Sequence, residues 1–99
     1  MEVDMKICAE ILQSLYDGFA SDSPVTRRER CLQIAGSKKI YTAVLQHLAQ
    51  KSLIDITTIP AGRDGEMTLF PILHEKAHKR VKEHGVKFVL EGLPKKLTW

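Results

Sequence analysis

The segment Gly36-Ser37-Lys38-Lys39-Ile40-Tyr41-Thr42-Ala43-Val44-Leu45-Gln46-His47-Leu48-Ala49-Gln50-Lys51 is the stretch on which the fold reading turns. Gly36 is suited to end one helix, and Ser37 to cap another that runs to about Lys51. At a step of about 100° per residue, Lys38, Thr42, Gln46 and Lys39 fall within about 100° of one another, with Ala43 and His47 at the edge of that sector. Ile40, Tyr41, Val44, Leu45 and Leu48 occupy the other side. Two cations, a hydroxyl, an amide and a small alanine are residue types that contact phosphates, reach base edges or permit close approach in a major groove. An ordinary surface helix with a solvated face has the same pattern, so the neighbouring segments must decide.

Working outward, Ile7, Cys8, Ile11, Leu12 and Leu15 recur at helical spacing between Asp4, a natural cap, and Gly18, a natural stop. Ser21-Asp22-Ser23-Pro24 is turn chemistry. Thr26-Arg27-Arg28-Glu29 then reads as a capping box opening a short second helix to about Ala35, which buries Cys31, Leu32 and Ile34. Two short helices joined by a glycine turn have the sequence form of a helix-turn-helix. After Lys51 the period changes to alternation. Ile54–Ile59 is rich in β-branched residues, Pro60–Gly65 is a loop, and Glu66–Phe70 returns as a partner strand. Leu73–His84 reads as a basic fourth helix stopped by Gly85. The expected domain therefore spans residues 1–84. Residues 85–99, with Phe88, Val89, Leu90, Leu93, Leu97 and Trp99, form a short apolar tail suited to capping the core or, as the preferred reading, to contacting a second subunit.

Ninety-nine residues bury one modest core and leave little for a separate catalytic module. The hydrophobic share of 43% and charged share of 27% match folded proteins and argue against disorder. No apolar run approaches the roughly 18–20 residues that cross a membrane. Met1-Glu2-Val3-Asp4-Met5-Lys6 opens with acids, which argues against a secretory leader. Cys8 and Cys31 lie in helical patterns, where they read as core residues of a chain in the reducing cytoplasm. A net charge of +3 and a pI near 9.0 favour an anionic partner.

In its order of elements and apolar positions, the chain resembles the winged helix-turn-helix family of transcriptional regulators over about residues 4–84. The segment Leu45-Gln46-His47-Leu48-Ala49-Gln50-Lys51-Ser52-Leu53-Ile54 is similar to the family's passage from recognition helix to first wing strand. Ser52 stands where glycine is usual, so the helix exit is expected to differ slightly. The resemblance implies an α+β, mainly α fold of three helices, a two-stranded β wing, a C-terminal helix and a short tail. It implies that Ser37, Lys38, Lys39, Thr42 and Gln46 face double-stranded DNA and that Arg27 and Arg28 touch phosphates. Arg63 would reach the backbone or minor groove from the wing tip, although Asp64 and Glu66 beside it weaken its field. A homodimer is expected, because one such domain contacts only a short site. No cofactor and no enzymatic activity are implied. The same fold also serves as a protein- or RNA-interaction module, and that alternative stays open.

One motif points elsewhere. His74-Glu75-Lys76-Ala77-His78 matches the H-E-x-x-H pattern, which on a helix sets two imidazoles on one face beside a glutamate base. Val81 stands where the longer zinc-protease pattern needs glycine, and on a continuous helix His84 would point well away from His74 and His78. The expectation is therefore no metal site. His74 and His78 remain candidates for half of an intersubunit metal site in a metal-responsive repressor, or for a small zinc enzyme.

Overall fold

The computed structural model describes residues 4–60 and 67–91, an α+β arrangement that is mostly helical with one two-stranded antiparallel sheet. Three helices come first: α1 (Met5–Asp17), α2 (Pro24–Ala35) and α3 (Lys38–Gln50). A hairpin of β1 (Ile54–Pro60) and β2 (Met67–Leu73) follows, then α4 (Glu75–His84) and α5 (Val86–Glu91). Among the described residues no helix is long and apolar enough to cross a membrane.

The helix limits follow from their caps. Asp4 accepts the Lys6 amide at 2.8 Å and opens α1. The turn after α1 brings the Asp22 side chain against Gly18, where a Cβ would force the carboxylate to move. Ser23, not Thr26, caps α2. Its hydroxyl accepts the Thr26 amide at 3.2 Å, and Pro24 takes the first helical position, where a missing N–H costs nothing. The expected capping box therefore lies inside the helix, with Thr26 one turn in. Gly36 ends α2 with φ 85°, and Ser37 caps α3 by accepting the Ile40 amide at 3.2 Å.

The exit from α3 is a Schellman motif. The Leu53 amide reaches the Leu48 carbonyl at 3.1 Å and the Ser52 amide reaches Ala49 at 2.9 Å, while Leu48 and Leu53 are both buried. Its left-handed position is Ser52, at φ 61°, so a serine occupies backbone space that glycine fills without strain.

In the hairpin, Ile54 pairs with Leu73, Ile56 with Pro71 and Thr58 with Leu69. Ile54, Leu73 and Pro71 are buried, which makes this the core-facing side. Asp55, Thr57 and Ile59, with Ile72, Phe70 and Thr68, form the other side. β2 thus continues through Pro71, Ile72 and Leu73, residues that read as loop and helix start in the sequence. Pro71 is accommodated because its carbonyl is bonded from outside the sheet, which puts its missing N–H on the edge away from β1. The fourth helix accordingly starts at Glu75 rather than Leu73.

The core draws on every element: Cys8, Ile11, Leu12 and Leu15 of α1, Cys31 and Ala35 of α2, Tyr41, Val44, Leu45 and Leu48 of α3, Ile54 and Leu73 of the hairpin, and Ala77 and Val81 of α4. It does not stop at His84. Val86, Val89 and Leu90 of α5 are buried in the same cluster, and α5 packs on α1 and α4. The packed unit therefore runs through α5, beyond the boundary expected at residue 84. The expected dimer contact through Leu93, Leu97 and Trp99 lies outside the described residues.

Replacing Ser52 with glycine relieves the left-handed strain and is expected to stabilise the fold by about 0.5–1 kcal/mol. The test is the urea midpoint, which should rise; an unchanged or lower midpoint would show that residue 52 is not strained. Burial also displaces two acids. It pushes the Cys31 thiol from its ordinary value of 9.0 up to about 12, with Arg27 pulling weakly the other way, and it raises the Tyr41 phenol. The unfolded chain gives up these protons first, so stability is complete below about pH 9 and is lost as pH rises towards 12. The midpoint should fall across that window, and less steeply in Cys31→Ala; a flat profile in the parent chain would contradict the burial argument.

Candidate functional site

The face of α3 divides as its periodicity predicts. Tyr41, Val44, Leu45 and Leu48 are buried, whereas Lys38, Lys39 and Gln46 are exposed and Thr42 and Ala43 are half-buried at the margin. The four side chains Lys38, Lys39, Thr42 and Gln46 therefore share one accessible strip along the helix. Ser37 sits at its head, where its hydroxyl oxygen is engaged by the Ile40 amide but its own hydrogen is free to donate. The N-terminal end of α3 adds partial positive charge beside Lys38 and Lys39. The strip thus combines cations, a helix N-terminus and uncharged hydrogen-bonding groups, with no acidic residue between Ser37 and Lys51 to oppose them.

What holds α3 in this attitude is a hydrogen bond across the fold. The Tyr41 hydroxyl donates to the Leu69 carbonyl of β2 at 2.7 Å. The periodicity placed Tyr41 on the apolar side, but the register of the hairpin against it is a tertiary fact. Leu69 and Pro71 are alternate residues on β2, and the second carbonyl is taken from α2. Arg27 Nε donates to Pro71 at 3.2 Å, and one of its terminal nitrogens donates to the Asp22 carbonyl at 2.7 Å.

Arg27 is therefore not the surface phosphate contact expected of it. It is only 9% exposed and ties α2, the preceding turn and β2 together. The signal was available: Arg27 lies four residues before Cys31 and eight before Ala35, on the stripe that both share in the core. Arg28 is half-buried with its Nε enclosed and without an acceptor, so only part of its guanidinium faces outward. Arg30 is exposed and lies 3.2 Å from the Asp22 carboxylate. Arg63 lies outside the described residues, and nothing of its placement enters the site.

The histidine motif resolves differently from its helical reading. His74 is not within α4 but at its N-cap, with extended backbone (φ −65°, ψ 142°), and its Nδ1 accepts the Lys76 amide at 3.1 Å. His78 stacks on Tyr16, ring centres 4.8 Å apart, and lies 4.3 Å from the Phe19 ring. One imidazole caps a helix and the other packs between aromatic rings, so the two do not form the paired helical face that the zinc motif requires. Among the described residues no group of three or more His, Cys, Asp or Glu side chains is placed to hold a metal.

Arg27→Met removes the donors of two backbone carbonyls, and it should cost about 2–3 kcal/mol of unfolding free energy. Arg30→Ala breaks only a largely exposed ion pair and should cost no more than about 1 kcal/mol. Urea denaturation of both variants checks the contrast; equal small losses would mean that Arg27 is not the tie described. No family model matches this chain, and no curated protein or solved structure shows significant similarity to it.

Proposed function

We propose that the chain is a cytoplasmic winged helix-turn-helix regulator that binds duplex DNA, placing the polar strip of α3 in the major groove. The observation that carries this reading is the accessibility of Lys38, Lys39 and Gln46 on a helix whose opposite side is locked to the core and to β2. A reader helix needs that combination: donors and cations outward, and a fixed rotation about its own axis. The element order supports it too, since a capped helix and glycine turn precede α3 and a hairpin follows. In this reading the lysines and the head of α3 contact phosphates, Gln46 and Thr42 reach base edges, and Arg28 and Ser37 flank the groove. Two copies acting together would supply a site long enough for specificity.

One observation favours a second reading, a winged-helix module that binds protein. The outer side of the hairpin and the start of α2 enclose an apolar groove of about 330 Å³ that includes Val25, Ile59, Phe70 and Ile72, with Val25 and Ile59 about half exposed. Binding to mixed-sequence duplex separates the two.

Fluorescence anisotropy with labelled duplex, at two or more salt concentrations, should give binding that weakens steeply as salt rises. Lys38→Ala with Lys39→Ala should leave the unfolding midpoint unchanged, weaken binding and lower the salt slope by roughly two counterions' worth. Binding that persists unchanged in this variant would remove α3 as the reader. An absence of binding even at low salt would favour the protein-binding module.

A further inference from the structure

A cleft of about 420 Å³ opens between the C-terminal end of α3 and the N-terminal end of α4, lined by Lys51, Ser52, His74, Lys76, Ala77 and Arg80. Its size is that of a small-molecule site. Three of the lining side chains are cationic and a fourth is an imidazole, and among the described residues none that lines it is acidic. Lys51 and Lys76 are exposed, and among the described residues neither is paired with a carboxylate. Glu75, the neighbouring acid in the chain, is exposed and does not line the cleft. A concave surface carrying one sign of charge concentrates anions.

The uncharged groups are donors as well. His74 accepts the Lys76 amide at Nδ1, so the proton of its neutral ring sits on Nε2. Ser52 adds a hydroxyl from its left-handed position, and among the described residues that hydroxyl makes no hydrogen bond. At the end of α3 the carbonyls of His47, Leu48 and Ala49 are taken by the amides of Lys51, Leu53 and Ser52.

The cleft is separate from the α3 strip. At about 1.5 Å per residue, Lys51 lies about 20 Å along the axis from Lys38. At about 100° per residue, it is turned about 140° away.

We propose that this cleft binds a phosphate-bearing small molecule. Lys51 and Lys76 supply charge, and Ser52 and His74 supply hydrogen-bond donors. The assignment does not depend on what α3 binds.

Calorimetric titration of the full chain with pyrophosphate in buffered chloride tests it. The expected result is saturable one-to-one binding, weakened about tenfold or more by Lys51→Ala with Lys76→Ala, through the loss of charge-assisted bonds. Ser52→Gly, whose fold should be the more stable, should also bind pyrophosphate more weakly. A phosphate could also come from the backbone of DNA, so a phosphorus NMR arm follows the bound probe as a short duplex is added. Probe that stays bound supports a small-molecule site; probe released in step with the duplex overturns it. Titration without saturation, or equal binding by the parent chain and both variants, also overturns the proposal.

Discussion

The outer edge of a two-stranded sheet leaves backbone carbonyls that must find donors, and in β2 they find two side chains. Tyr41 of α3 donates to Leu69, and Arg27 of α2 donates to Pro71 and, with its other end, to Asp22. These bonds fix the hairpin against α2 and α3 together. The Tyr41 bond adds to the burial of Val44, Leu45 and Leu48 in fixing the rotation of α3 about its axis. The two bonds also occupy the edge that would otherwise invite another strand. Arg27 is the more constrained of the two, because it serves two backbone carbonyls where Tyr41 serves one.

The sequence made the helices legible where chemistry and spacing agree. Asp4, Gly36 and Ser37 mark limits that the structure keeps, and the division of α3 into a core side and a polar side follows from its 3.6-residue period. Reading failed where one local signal outweighed a subtler one. Thr26-x-x-Glu29 looked like the start of α2, but Ser23-Pro24 three residues earlier is the better cap. The return strand was read to end at Phe70, yet it continues through Pro71, whose missing N–H faces the edge where none is needed. Val89 and Leu90 were read with Phe88 as part of an apolar tail, because the domain was taken to end at His84. Both are core.

The candidate site was legible in its α3 residues and misread at Arg27. Lys38, Lys39 and Gln46 are exposed, as periodicity alone requires. Arg27 was placed at phosphate by the family resemblance, which gives its side chain no direction. Only its position on the Cys31 and Ala35 stripe pointed inward. The histidine motif shows the same limit, since five residues matched a pattern whose premise is a helix that in fact begins after the first of them. The basic cleft joins residues more than twenty positions apart, and no local pattern reports that kind of meeting.

The chain therefore presents cations on two unlike surfaces, a convex strip along α3 and a concave cleft where α3 ends and α4 begins. Their shapes suit different anions, an extended polymer for one and a small ligand for the other. The central claim concerns the first. Amide chemical-shift mapping of the chain with a mixed-sequence duplex tests it most directly. The largest shifts should fall on Ser37, Lys38, Lys39, Thr42, Ala43 and Gln46. Shifts centred elsewhere, or none at low salt, would contradict it.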